Sequence, residues 1–264
     1  MKKFLTVALA GVLAASMLFT GCSKKAESKV PDKLIVGTNA EFPPFEYMND
    51  KKQPEGFDIA MIKEIGKRMG KKVEIKNMEF KSLIGAMESD SINAIIAGMT
   101  KTEKREKAVD FSDSYYTTNQ AIILKKDSKI TKLAQLDGKK IGVQEGTTGD
   151  LISSGDKFGD GKKAKVLVKG AKVKRFKKGV DAVMDLKNGS VDAVVIDELT
   201  ANEFVKKNAK KLKIVIDSAG SEYYCIALTK GNTAYKEEVN KQIKAIKEDG
   251  TYDKMKDKYI DLKK

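Results

Sequence analysis

Residues 92–105 read Ile92-Asn93-Ala94-Ile95-Ile96-Ala97-Gly98-Met99-Thr100-Lys101-Thr102-Glu103-Lys104-Arg105. The first six are nearly all apolar, which predicts a strand buried on both faces, as in a parallel sheet covered by helices. Gly98 breaks the run, and a polar stretch with hydroxyls and an arginine follows. In open α/β sheets, ligands sit beyond the carboxyl ends of strands, so this corner is a candidate site.

Strand and helix patterns alternate outward from this stretch, from residue 33 almost to the end. Residues 34–36 predict a strand. Phe57, Met61, Ile65 and Met69 recur at four-residue spacing before Gly70, the mark of a helix burying one stripe and closing on a glycine. Val73 and Ile75 predict the next strand, and 83–87 a short helix. Beyond Tyr116, strands are expected at 121–124, 141–143, 193–196 and 212–216, with helices through Val180, Val183 and Leu186 and over 199–205. The last strand, 223–228, has no partner left in this second series and is expected to return to the first. Helices carrying Tyr235, Val239, Ile243 and Ile246, then Met255 and Tyr259, complete the chain. The pattern implies an α/β protein with largely parallel sheets.

Composition closes several routes. Among 264 residues there is no histidine, which removes Ser/His/Asp and Cys/His catalysis and imidazole metal ligation. Two cysteines cannot build a four-thiolate zinc site, and no cofactor or metal is expected. The net charge of +14 comes from lysines scattered over the chain without aromatic interleaving, so they read as solvated faces and nucleic acid is not an expected partner. Lys2 and Lys3, the uncharged run 4–20 and Gly21 before Cys22 predict an export signal over 1–21 that is too short to span a membrane comfortably. Residues 22–32, polar and rich in lysine, are expected to form a tether. Cys225 lies in a strand-like run and reads as a buried apolar side chain without a disulfide partner.

Three further segments stand at strand ends. They are Gly37-Thr38-Asn39-Ala40-Glu41-Phe42-Pro43-Pro44-Phe45-Glu46-Tyr47, then Gly142-Val143-Gln144-Glu145-Gly146-Thr147-Thr148-Gly149, and Val191-Asp192-Ala193-Val194-Val195-Ile196-Asp197. Leu18-Phe19-Thr20-Gly21-Cys22 resembles a bacterial lipoprotein signal, with Cys22 as the lipidated first residue. The whole set, in order over 33–260, resembles the polar amino-acid solute-binding proteins of ABC importers, family 3 of the bacterial extracellular solute-binding proteins. That resemblance implies a two-lobe periplasmic-binding-protein-like fold of type II, each lobe a central sheet flanked by helices, with two hinge crossings. Lobe 1 is expected over 33–117 and 223–264, and lobe 2 over 118–222.

The chemistry of such a site follows from its guest. A free amino acid is a zwitterion, so its captor must replace water around a carboxylate and an ammonium. Arg105 offers a planar fork to the carboxylate. Thr100 and Thr148 stand at corners entering helices, where free backbone N–H groups and the helix dipole favour an anion, and Asp197 supplies the charge opposite the ammonium. The resemblance adds the Gly98 carbonyl and the Thr100 hydroxyl to the ammonium site, Phe42 and Phe80 as aromatic walls, and Met99 and Thr147 as further site members. Blander readings stay open at this stage: Arg105 on a solvated helix face, Asp197, Thr147 or Thr148 as helix caps, Phe42 and Phe80 as core, Glu41 as loop surface.

Selectivity rests on three positions. Asn39 stands where many binders of basic amino acids or glutamine carry aspartate. Glu41 could supply the missing carboxylate, and a neutral Gln144 removes repulsion against a cationic guest. The combination resembles arginine-type binders most, with glutamine and histidine as alternatives. The implied partners are an L-amino acid, a membrane permease and a lipid anchor at Cys22, for a monomeric, exported, non-enzymatic receptor. The rivals are a dehydratase-like enzyme on the same fold and a ligand-sensing receptor ectodomain.

Overall fold

A computed structural model describes residues 29–155, 168–216 and 221–261. The expected leader, Cys22 and most of the tether lie outside the described residues. In chain order the elements are β1 (Lys33–Thr38), β2 (Glu41–Phe42), β3 (Glu46–Met48), β4 (Pro54–Glu55), α1 (Phe57–Arg68), β5 (Lys72–Asn77), α2 (Leu83–Glu88) and β6 (Ala94–Ile95). Next come α3 (Glu103–Glu106), β7 (Val109–Thr118), β8 (Gln120–Lys125), β9 (Lys140–Gln144), α4 (Thr148–Ser154), β10 (Lys172–Phe176), α5 (Gly179–Asn188), β11 (Ala193–Asp197) and α6 (Glu198–Lys206). Then follow β12 (Leu212–Ile216), β13 (Glu222–Thr229), α7 (Thr233–Glu248) and α8 (Thr251–Tyr259).

Two five-stranded sheets organise two lobes, with orders β5-β1-β6-β13-β7 and β10-β9-β11-β8-β12. Helices α1, α2 and α7 pack on the first sheet and α4, α5 and α6 on the second. The sheets are mixed rather than largely parallel. β1 runs parallel to β5 and β6, and β9 parallel to β10 and β11, but β13 is antiparallel to β6 and β7, and β8 to β11 and β12. The chain crosses from β7 to β8 through Asn119 alone, and β13 brings it back to the first sheet from the other side.

The apolar run 92–97 is buried on both faces. Ala94 and Ile96 enter one core with Leu34 and Val36, while Ile95 and Ala97 enter another with Leu83 and Phe111. Only Ala94–Ile95 is regular strand. The Asn93 side chain takes over part of the ladder, accepting from Ile35 N at 2.9 Å and donating to Lys33 O at 2.9 Å. Strand β10 and the small sheet β2-β3-β4 have no counterpart in the sequence expectation; β10 is exposed and lysine-rich, which hides its alternation.

The described end of the tether is docked rather than loose. Asn232 Nδ2 donates to Lys29 O at 2.9 Å, and Val30 packs against the core.

Candidate ligand cleft

The carboxyl ends of β1, β6, β9 and β11 converge on a narrow cleft between the lobes. The end of β1 delivers Asn39, β2 delivers Phe42, the end of β6 leads to Gly98 and Thr100, β9 delivers Gln144 and leads to Thr147 and Thr148, and β11 delivers Asp197; Phe80, Arg105, Ala97 and Glu46 complete the lining. Ten of the twelve expected site residues therefore meet in one place. Glu41 and Met99 do not line it. Glu41 sits at the rim and pairs with Lys178 Nζ at 2.6 Å, and the Met99 side chain is buried in the core with Leu83, Met87 and Phe111.

Gly98 has a positive φ of 51°, and a Cβ there would stand 3.0 Å from the Phe42 ring and 3.3 Å from Tyr224. A side chain would thus be strained and would press on the aromatic wall. Phe42 in turn packs on Phe45 with centroids 6.1 Å apart.

Arg105 is 7% exposed, so it is not a solvated surface residue. It lies on the short helix α3, whose Thr102 cap accepts from Arg105 N at 3.3 Å. Its guanidinium donates to Thr100 O, and across the lobes to Gly146 O at 3.0 Å, with the Phe80 ring 5.3 Å away. These bonds fix the plane of the fork and use part of its five donors; the rest suit a carboxylate. Burial draws its pKa down to about 10, while the charges of Glu222 and Asp197 hold it up. It stays cationic at neutral pH.

Asp197 occupies the position before α6 but makes no side-chain capping bond. It instead accepts from Tyr224 Oη at 2.7 Å. Burial lifts its pKa to about 7, Glu222 adds to the rise, and bonds from Tyr224 and Gln120 oppose it. Thr147 does cap α4, accepting from Asp150 N at 3.3 Å, yet it also lines the cleft. Gln144 Nε2 donates to Asn39 Oδ1 at 2.7 Å, joining the lobes through the two positions singled out for selectivity.

Glu46 was missed by sequence reasoning. It is fully buried and lines the cleft, and its carboxyl group meets that of Asp58 in a side-chain hydrogen bond. Its polar neighbour is Asp58, itself held by Gly98 N at 2.8 Å and Tyr115 Oη at 2.7 Å. Burial, then the Asp58 charge, hold Glu46 well above the ordinary carboxyl range, and burial lifts Asp58 to about 6. The available signal was an acid inside an otherwise apolar and aromatic run, Phe42 to Tyr47.

Two sheet-and-helix lobes facing each other across a polar cleft define a periplasmic-binding-protein-like receptor fold of type II. The chain belongs to the bacterial extracellular solute-binding proteins, family 3, whose match spans residues 34–262. It is 33% identical over 263 residues to the arginine-binding extracellular protein ArtP of Bacillus subtilis, covering 98% of each chain. Among solved structures, an ancestral arginine-binding protein bound to arginine superposes with a TM-score of 0.79 at 42% identity, over 88% of this chain and 100% of that one. The ancestral amino acid-binding protein AncCDT-1, a precursor of cyclohexadienyl dehydratase, matches with a TM-score of 0.76 at 33% identity, over 86% of this chain and 95% of that one. Among the described residues no helix is long and apolar enough to cross a membrane, and no acidic or thiol cluster is built to hold a metal.

Proposed function

We propose that this chain is an exported, lipid-anchored, monomeric receptor that captures an L-amino acid with a cationic side chain, arginine foremost, and delivers it to an ABC importer. The observation that carries the choice of guest is Glu46. Burial and the neighbouring Asp58 disfavour its anion, and a guest guanidinium would bring the donors and the compensating charge that let it ionise. The identity with ArtP supports the same choice.

In this reading lobe 1 (33–117 with 223–264) receives the guest carboxylate on Arg105 and its side chain between Phe42 and Phe80. Lobe 2 (118–222) then closes with Asp197 on the ammonium. Closure is favoured by the guest's differential affinity for the closed state, and the closed shape is what a permease recognises. In this reading Asp197 and Arg105 are taken up by the two poles of the guest. The test is a thermal-shift screen of the twenty amino acids on ligand-stripped protein. Arginine is expected to give the largest rise in melting temperature; a larger rise with an acidic or apolar amino acid would overturn the proposal.

A further inference from the structure

Glu222 opens β13, paired with Thr118 where the chain re-enters the first sheet. One of its oxygens, Oε2, accepts from Thr100 Oγ1 at 2.7 Å and from Thr148 Oγ1 at 2.7 Å. Thr100 comes from the first lobe and Thr148 from the second, and both line the cleft. Glu222 itself is not among the lining residues.

A hydroxyl has one proton to give. Here both threonines give theirs to the same carboxylate oxygen, so towards the cleft they present lone pairs only. Thr148 Oγ1 already accepts from Gln120 Nε2 at 3.2 Å. That takes one of its two lone pairs, whereas Thr100 Oγ1 keeps both for a guest. An ammonium has three donors and no acceptor, so it fits such an oxygen; a carboxylate has only acceptors and does not. Asp197 lies close enough for its charge and that of Glu222 to act on each other. The corner is thus negative and its threonine hydroxyls offer no proton to a guest, whereas Arg105 is rich in donors.

We infer that Glu222 is a positioning residue that orients the Thr100 and Thr148 hydroxyls as acceptors, so that this corner takes the guest's ammonium and refuses its carboxylate. The inference rests on the amino-acid reading above. An amide at 222 would carry no charge and could itself donate, freeing a threonine proton to turn towards the cleft.

The test is calorimetric titration of ligand-stripped wild type and Glu222→Gln with L-arginine and with 5-guanidinopentanoic acid, which keeps the guanidinium and carboxylate but lacks the amine. Glu222→Gln is expected to weaken arginine by about 10- to 100-fold and the desamino acid by less than about 3-fold. Thr100→Val should show the same selective loss, and the double variant should bind arginine no worse than Thr100→Val alone. Should Glu222→Gln fail to fold, Glu222→Asp, which keeps the charge but draws the oxygen back from the two hydroxyls, decides by the same comparison. Equal weakening of both compounds, or unchanged arginine affinity, would overturn the inference and leave Glu222 as a brace between lobes. Wild type that binds no polar amino acid would overturn the underlying reading as well, so the two failures are distinguishable.

Discussion

The Tyr224 hydroxyl donates to Asp197 Oδ1 at 2.7 Å, tying the strand that returns to the first lobe to the carboxyl end of β11 in the second. The bond favours the charged form of a carboxylate that burial, reinforced by Glu222, lifts to about 7. A guest ammonium needs that carboxylate ionised. Affinity for an amino acid should therefore fall as pH drops below about 7, and binding near pH 6 should release protons. Calorimetry in two buffers of different ionisation enthalpy measures the release. Tyr224→Phe removes a stabiliser of the anion and should move the acid limb to higher pH; an unmoved limb would separate Asp197 from the ammonium.

Glu46 makes a second pH prediction with the same sign worked through stability. Its folded pKa is raised, so the folded chain holds a proton that the unfolded chain has lost, and stability declines as pH rises from the unfolded value towards the folded one. Glu46→Gln should raise the melting temperature at pH 8 and leave it nearly unchanged at pH 4. The same substitution should weaken arginine more than glutamine, by about 1.5–3 kcal/mol, the range for a hydrogen bond to a charged group. Parallel losses for the two ligands would place Glu46 outside the side-chain site.

Among the described residues, three ion pairs cross the mouth of the cleft: Lys81 with Glu145 at 3.0 Å, Lys177 with Glu79 at 2.7 Å and Lys178 with Glu41 at 2.6 Å. All are at least partly exposed, so each is worth roughly 0–1 kcal/mol and is screened by salt. Inter-lobe distances from paired spin labels should lengthen modestly between low and high ionic strength. Glu41→Gln is expected to weaken arginine and glutamine alike, because Glu41 holds Lys178 rather than the guest. A loss confined to arginine would return Glu41 to the ligand.

Where apolar pattern was strong, the sequence foretold the architecture. The run 92–97 and the four-residue spacing of Phe57, Met61 and Ile65 correspond to buried elements, because burial on that scale needs that pattern. Pattern does not encode direction, so the antiparallel β8 and β13 could not be separated from parallel strands. The cleft was legible where a charged or aromatic residue stood at a strand end, as with Arg105, Asp197 and Phe42. Met99 was misplaced because the one-residue step past Gly98 turns a side chain from cleft to core, with Gly98 and Thr100 on the cleft side. Glu46 and Glu222 escaped notice because each acts only through residues distant in the chain, Asp58 for one and Thr100 with Thr148 for the other.

The most direct measurement compares L-arginine with agmatine, which lacks the carboxylate, by titration of wild type and Arg105→Ala. Losing one partner of a desolvated charge pair costs about 2–5 kcal/mol. Wild type should prefer arginine by that margin, and Arg105→Ala should lose most of the preference while agmatine binding changes little. Agmatine binding wild type as tightly as arginine, or a preference that survives in Arg105→Ala, would contradict the assignment of Arg105 to the carboxylate.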